Sequence, residues 1–298
     1  MARSRYEFRY RKPPRRHISL SRVVWFLALI FVLVYPFYEG QHLTVDEHTV
    51  SVRGLPANLK NLRIVYLSDI HKGATFPQAR VEDLARQING YGADLVLLGG
   101  DYAETSDESI AFFQNLPTLQ ARLGVFGVVG NHDRTEPESN LNLLVQEMKN
   151  AGVLPLVNAV ARVKVGQSYV TLAGVDDYYN GYPNVAGVAS QVSSGDFVIF
   201  MGHSPDLLTS AFKAAAGDGD SHWFDLALFG HTHGGQVTVF GRPLITNLTP
   251  EIGTRYLTGW REENRASILV SNGVGTGVVP VRLFAPAQIH IITLKAAK

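Results

Sequence analysis

Cysteine is absent from the chain. Disulfides, thiolate metal sites and cysteine nucleophiles are therefore excluded, and any metal must be held by nitrogen and oxygen donors. A strong charge of either sign is also missing, since the formal net charge is +1. The positive charge is confined to the first 22 residues, where eight Lys or Arg face one acid, Glu7, while the rest carries 19 basic and 25 acidic side chains. A body of that balance lacks the broad basic surface that neutralises nucleic-acid phosphates, so no nucleic-acid partner is expected, though a small phosphate ester is not excluded. No linker divides residues 41–298, and no internal repeat is present beyond a recurring strand-turn pattern. With 46% hydrophobic and 18% charged residues over 298 positions, the composition is that of a globular protein with one large α/β domain or two smaller ones.

One long uncharged run is present, the sixteen residues Val23 to Tyr38 between Arg22 and Glu39. As a helix it would be about 24 Å long against a hydrocarbon core of roughly 30 Å, which would place Arg22 and Trp25 at one interface and Tyr35 and Tyr38 at the other. The flank Tyr38-Glu-Gly-Gln-His lacks the small-x-small pattern of a cleaved secretory signal. Arg15-Arg16 is followed by His17-Ile-Ser, a poor match to a twin-arginine signal. The expectation is a basic cytoplasmic tail over 1–22, an uncleaved membrane anchor helix over 23–40, and a single folded domain over 41–298. A spanning helix keeps the basic tail in the cytoplasm and puts the domain on the outer side of a bacterial-type inner or plasma membrane. Partial insertion would leave the domain on the cytoplasmic face.

Beyond this segment, His48 to Arg53 alternates like an edge strand, and five apolar runs each end in a polar turn. Leu62 to Leu67 leads into Ser68-Asp69-Ile-His71, Asp94 to Leu98 into Gly99-Gly-Asp101, and Val125 to Val129 into Gly130-Asn131-His132-Asp133. Phe197 to Met201 leads into Gly202-His203-Ser-Pro205, and Leu226 to Phe229 into Gly230-His231-Thr-His233-Gly-Gly-Gln236. Short continuous apolar runs suit strands buried on both faces, and Gln78 to Gln87 and Leu141 to Lys149 have helical spacing between them. Leu154 to Val165 and Tyr169 to Gly174 read as strands of a second sheet joined at Gly166-Gln167, with Ser267 to Val270 and Gln288 to Leu294 as further strands. In α/β folds the loops at the carboxyl ends of the strands form the ligand crevice, and all five polar turns fall there.

The pair His231 and His233 carries little weight alone. On an extended segment the two would share a face, and Gly230, Gly234 and Gly235 would let the backbone approach a ligand. With His71, His132, His203, Asp69, Asp101, Asn131 and Asp133 at the companion turns, the donor set has the composition of a two-metal site for Mn, Fe or Zn, because imidazole with carboxylate suits those ions.

Asp69-x-His71, Gly100-Asp101, Gly130-Asn-His-Asp133, Gly202-His203 and Gly230-His-Thr-His233 occur in the order and spacing of the calcineurin-like metallophosphoesterase superfamily, which the chain resembles over most of residues 60–298. More narrowly, Leu67-Ser-Asp-Ile-His, Leu172-Ala-Gly-Val-Asp-Asp177, His203-Ser-Pro-Asp206, Gly230 to Gln236 and Gly275 to Phe284 are similar to the membrane-associated branch typified by the YkuE and YaeI phosphoesterases. The resemblance implies an α/β fold with a two-sheet β-sandwich flanked by helices. It also implies two divalent metal ions (Mn, Fe or Zn), one bound by Asp69, His71, Asp101 and His233 and the other by Asp101, Asn131, His203 and His231, with Asp101 bridging. A hydroxide between cations roughly 3.5 to 4 Å apart would be the nucleophile. His132 would stabilise charge or protonate the leaving oxygen, and Asp133 would be its supporting partner.

The activity implied is hydrolysis of a phosphodiester or pyrophosphate, with a lipid-linked substrate favoured by the anchor. UDP-2,3-diacylglucosamine hydrolysis in lipid A synthesis is the narrower expectation. It acts at the cytoplasmic side and conflicts with an outward-facing domain, for which an envelope or nucleotide phosphodiester is the alternative. A non-catalytic, membrane-tethered metal or phosphate binder is the alternative of another class, but every motif position is filled where lost activity would leave gaps. A protein phosphatase of the same superfamily would show GDxxDRG where this chain has Gly100-Asp-Tyr-Ala-Glu104. Asp176-Asp177 reads as an acidic turn between strands rather than a site pair. Tyr102 and Tyr178 to Tyr182 are candidates for a substrate pocket, although Tyr, Gly and Asn clusters are also ordinary loop chemistry. His42, His48, His222 and His290 read as surface or packing residues. Oligomeric state is not legible in the sequence.

Overall fold

The computed structural model describes residues 19–135, 138–244, 249–277 and 279–297. All but the last four residues of the expected tail 1–22 lie outside that set, as does Val278 of the closing stretch. The chain divides into two compact units, Met1–Tyr35 and Pro36–Lys298. The first holds most of helix α1 (Leu20–Gln41), which is long and apolar enough to cross a membrane by length and composition. Its 22 residues span about 33 Å, but the stretch from Pro36, with Pro36, Glu39 and Gly40 buried, belongs to the second unit.

The second unit is a two-sheet sandwich. The first sheet has the order β1-β14-β2-β3-β4-β5, from β1 (Leu43–Val52), β14 (Ala287–Ala296), β2 (Arg63–Leu67), β3 (Leu95–Leu98), β4 (Val125–Gly127) and β5 (Val153–Pro155). The second has the order β12-β13-β9-β8-β7-β6, from β12 (Gly259–Glu263), β13 (Ala266–Val270), β9 (Leu226–Phe229), β8 (Phe197–Met201), β7 (Ser168–Gly174) and β6 (Ala159–Val165). Strands β2 to β5 run parallel, as do β7, β8, β9 and β13, so the two sets of carboxyl ends each form a continuous rim. A short hairpin, β10 (Thr238–Val239) and β11 (Arg242–Pro243), stands apart from both sheets.

The period-two geometry of a strand sorts the apolar residues between faces. Ile64, Tyr66, Leu95 and Leu97 point inward to meet Leu172, Ile199, Met201, Leu226 and Leu228 of the opposing sheet. Val65, Leu67, Val96 and Leu98 point outward onto helices α2 (Gln78–Gly90), α3 (Ser106–Gln114) and α4 (Glu138–Asn150) through Val81, Leu84, Ile88, Ile110, Phe112, Leu144 and Met148. On the other side, Val198, Phe200, Ala227, Phe229, Ile268 and Val270 pack under α5 (Val185–Ala189), α6 (Leu208–Ala211) and Trp223. Strands buried on both faces must be apolar throughout, which is why the runs showed no alternation.

Three sequence readings change. Leu154 to Val165 is two strands in different sheets, because the chain crosses the sandwich at Leu156-Val157-Asn158. Leu156 enters the inter-sheet core, and Asn158 turns with φ of 51° while its side chain accepts from the backbone N–H of Asp176 and Asn184. Helix α3 was not anticipated, although Thr105 caps it by accepting from the Glu108 N–H at 3.3 Å. Strand β12 was missed as well, being half exposed and charged. The edge-strand reading of His48 to Arg53 holds as far as Val52, within a longer β1 paired to β14.

Candidate metal centre

Each turn at the strand ends is locked by its neighbours. Asp69 N–H donates to Gly100 O, His71 N–H to Asp101 O, Gly230 N–H to His203 O, and Gly275 N–H to Asp69 O. Five of the seven expected ligands sit in the left-handed region: Asp69 (φ 53°), His71 (47°), Asp101 (55°), His231 (68°) and His233 (52°). Non-glycine residues adopt that conformation only where surrounding contacts impose it, and clustering of this kind marks functional sites. His231 and His233 are therefore not two positions on one face of an extended strand. The chain coils through a short 3₁₀ turn, His233–Gly235, and sends the two rings to different places.

Among the described residues the donors form three groups, of which two meet around Asp101 and the third is His71, Glu104 and His132. Ligand atoms of Asp69, His71 and His233 lie within 4.8 Å of one another, and so do those of Asp101, His203 and His231. Asn131 joins the second through its Oδ1, 2.9 Å from His231 Nδ1. Asp101 lies between the groups, with Oδ2 3.0 Å from His203 Nε2 and 3.6 Å from His71 Nε2. Neither nitrogen is aligned for a hydrogen bond; both are buried and without a hydrogen-bond partner among the described residues. Their opposite nitrogens are engaged: His203 Nδ1 donates to Gly99 O at 2.8 Å and His71 Nδ1 to Glu104 Oε1 at 3.1 Å. In the neutral rings this leaves the Nε2 lone pairs facing Asp101, the arrangement that metal-bound histidines adopt. Buried polar atoms left without partners are costly, and a cation between them would remove the cost.

Without a cation, protons take its place on the buried imidazoles, since His71 and His203 are both raised by the carboxylates beside them. Burial raises the Asp69 carboxyl and Asp101 adds to it, against the pull of His203. Burial alone would also raise Asp101, but the charges of His203 and His71 hold it well below the usual carboxylate range. His203 is raised well above its ordinary value by Asp101 despite desolvation. His233 is held far down by burial, by His71 and by the guanidinium of Arg282, which keeps its ring neutral and able to ligate.

His132 and Asp133 part company. The His132 ring meets His71 edge-on at 4.8 Å and its side chain is one-third exposed (33%), while Nδ1 lies 3.0 Å from Glu104 O. The carboxylate beside it is that of Glu104, at 3.7 Å, and not Asp133. Asp133 is buried beneath the site. Its carboxylate accepts from the N–H groups of Asp101, Tyr102 and Gly130 and from Ser109 Oγ, so it fastens the β3 and β4 ends together. Burial and the nearby Asp101 push its carboxyl up to about 6.

Tyr102 is buried in the core against Phe112 and Phe113, and its hydroxyl donates to Val128 O. Tyr179 does reach the second group, stacking on His231 at 4.8 Å while its hydroxyl donates to Asp206 Oδ2 at 2.5 Å. Asp176 forms a buried ion pair with Arg134 (Nε to Oδ1, 3.1 Å), and Asp177 caps the turn through the N–H groups of Tyr179 and Asn180. Gly230 is required because a Cβ there would stand 2.3 Å from Asp69 Oδ2, and Gly234 because one would meet Asn272 Oδ1 at 2.2 Å. Gly234 therefore serves packing, rather than clearance for a ligand. His290 is a packing residue, bonded to Asp46 and Ser271.

Glu104 and Arg282 were not singled out as site residues. Glu104 left a signal, an acid three residues after Asp101. Arg282 left little: it is fully buried behind His233, with guanidinium bonds to the carbonyls of Asn272, Gly275, His233 and Ala285.

Clustered imidazole and carboxylate donors at the rim of an α/β sandwich are able to hold metal ions. Residues 62–235 match the family model of the calcineurin-like phosphoesterases, and the chain belongs to that family of metal-dependent phosphoester hydrolases. It is 28% identical over 269 residues to an uncharacterized metallophosphoesterase of Aquifex aeolicus, covering 88% of this chain and 95% of that one. It is 28% identical over 266 residues to the metallophosphoesterase YkuE of Bacillus subtilis, covering 87% and 88% respectively. A transmembrane protein with metallophosphoesterase domain from Bos taurus is 30% identical over 274 residues, which cover 87% of this chain and 58% of that one.

Proposed function

We infer that the chain is a membrane-anchored phosphoesterase that hydrolyses phosphodiester or pyrophosphate bonds of lipid-linked substrates with two divalent cations. The observation that carries the reading is the pairing of two donor groups around Asp101. Asp69, His71, Asp101 and His233 would hold one ion, and Asp101, Asn131, His203 and His231 the other, drawn from Mn, Fe or Zn. Bound there, the ions would supply Lewis acidity to the phosphoryl oxygens and lower the pKa of water.

The remaining steps fall to this chain's own groups. Glu104 holds the imidazole of His71 and, through its backbone carbonyl, that of His132. With Nδ1–H so engaged, Nε2 of His132 must carry a second proton to act as the acid, and the imidazolium delivers that proton to the leaving oxygen and returns to the neutral ring. Asp133 acts indirectly, keeping Asp101 and the Gly130 turn in register. Tyr179 braces His231 against Asp206.

The lipid-linked class is supported by the apolar helix, since tethering raises the local concentration of membrane substrates. We place the catalytic unit on the outer side, on the charge of the N-terminal tail. A C-terminal reporter active only outside the cytoplasm is the expected readout, and a cytoplasmic signal would reverse the orientation and favour a UDP-2,3-diacylglucosamine type of substrate. The function itself is tested with a Mn²⁺ panel of aryl monoester, aryl diester, nucleotide-sugar lipid and phospholipid. Preference for the diester and lipid members is predicted, and turnover of the monoester alone would contradict it.

A further inference from the structure

The segment after His233 carries an apolar surface that folding does not explain. Strands β10 and β11 are joined by the two-residue turn Phe240-Gly241, with φ of 51° and 74°. Positive φ at both central positions is the type I′ turn, which favours Asn, Asp or Gly at its first position. Here that position is a phenylalanine 98% exposed. Beside it, the 279–284 segment is laid along the hairpin: Val237 bridges to Leu283, Thr238 N–H donates to Leu283 O, and Gln236 Nε2 donates to Val279 O. This segment ends in a second exposed phenylalanine in the left-handed region, Phe284 (φ 54°). Val239, Leu244 and Val279 are exposed on the same structure.

The catalytic unit begins here, because Arg282 N–H donates to Pro36 O, and the buried Glu39 carboxylate accepts from the N–H groups of Phe284 and Ala285. The apolar segment ending at Tyr35 therefore joins the unit at the edge of the patch. Behind the hairpin lies a 480 Å³ recess lined by Arg242, Arg255 and Arg261. Arg255 is paired with Glu263, whereas Arg242 and Arg261 have no ion-pair partner among the described residues. Arg261 lies over the Tyr256 ring, and an apolar tip backed by arginines without carboxylate partners among the described residues suits the boundary between acyl chains and anionic headgroups.

We propose that the β10–β11 hairpin and residues 279–284 seat the catalytic unit on an anionic lipid bilayer, with Phe240 and Phe284 in the acyl boundary and Arg242 and Arg261 at the headgroup phosphates. The seat adjoins the metal centre through Gly277 N–H on Gln236 and Arg282 on His233, so a headgroup phosphate approaches the site without the lipid leaving the membrane. The proposal rests on the anchor reading of α1 and is independent of the catalytic one.

The absence of cysteine makes the test direct. Nitroxide labels are placed in the full chain through Phe240→Cys, Trp25→Cys and Leu154→Cys, each on an exposed residue. The proteins are reconstituted into vesicles of phosphatidylcholine with or without phosphatidylglycerol. The ratio of oxygen to nickel-chelate accessibility should rise several-fold at positions 240 and 25 and stay aqueous at 154. The combined Arg242→Glu and Arg261→Glu variant should lower the rise at 240 in anionic vesicles only. An aqueous label at 240 beside a lipid-buried label at 25 overturns the seat and leaves the anchor. Immobilisation at 240 that grows with protein concentration, without gain in oxygen accessibility, identifies a second copy as the occupant and also overturns it. Aqueous labels at both 25 and 240 overturn seat and anchor together and leave the phosphoesterase reading standing.

Discussion

Among the site histidines, His132 is set apart by its position. It is one-third exposed, and its ring touches His71 outside the two donor groups around Asp101, in a third group with His71 and Glu104. A residue that moves a proton but holds no ion should be removable without emptying the centre. His132→Ala is expected to lower kcat by about 10² to 10⁴-fold with metal content unchanged, as measured by elemental analysis beside turnover of an aryl diester. Unchanged turnover would remove it from the mechanism. Asp133 is the contrasting case, because its neighbourhood is made of backbone N–H groups rather than substrate space. From sequence the two were adjacent members of one motif; burial separates their roles.

The strand-end turns act as units, and Asp133 shows how. Its removal in Asp133→Ala would leave the buried N–H groups of Asp101, Tyr102 and Gly130 without their acceptor, a cost of about 3 kcal/mol by chemical denaturation. A loss below about 1 kcal/mol would mean that other groups satisfy them. At this scale the sequence was most informative where the chemistry is densest. The five turns were legible because glycines and polar donors interrupt apolar runs, and the runs were legible because strands buried on both faces tolerate little else. Leu154 to Val165 misled for the same reason: an apolar residue such as Leu156 can continue a strand or cross the core, and only Asn158 marked the bend. Helix α3 hid behind a polar first turn, Ser106-Asp-Glu-Ser, whose capping role depends on Thr105 geometry. Arg282 was invisible because its partners are backbone carbonyls, which leave no pattern in side-chain identity.

For the whole molecule, protons and metal ions compete for one set of groups. Asp133 is raised to about 6, and Asp69, Asp177, His71 and His203 are also raised. Groups raised on folding contribute stability that is full below their unfolded pKa and lost as pH climbs through the folded value. Asp101 and His233 are depressed and act in the opposite sense. The balance predicts that the metal-free chain loses stability as pH rises, up to about 6 through Asp133 and above the ordinary imidazole value through His71 and His203, and cations bind best at the high end because fewer protons must be displaced. The thermal shift on adding Mn²⁺ should therefore be larger at about pH 8 than at about pH 5.5. Equal shifts would contradict the competition.

The central claim, that two cations share Asp101 and are required for hydrolysis, is tested most directly by metal analysis paired with activity on one preparation of the full chain. The account predicts about two Mn²⁺ or Zn²⁺ per chain, loss of diester hydrolysis on exhaustive chelation, and recovery on adding the ion back. Asp101→Asn should lower occupancy of both positions, because its carboxylate faces His71 and His203 together. Full activity in a preparation shown to be free of metal would contradict the account.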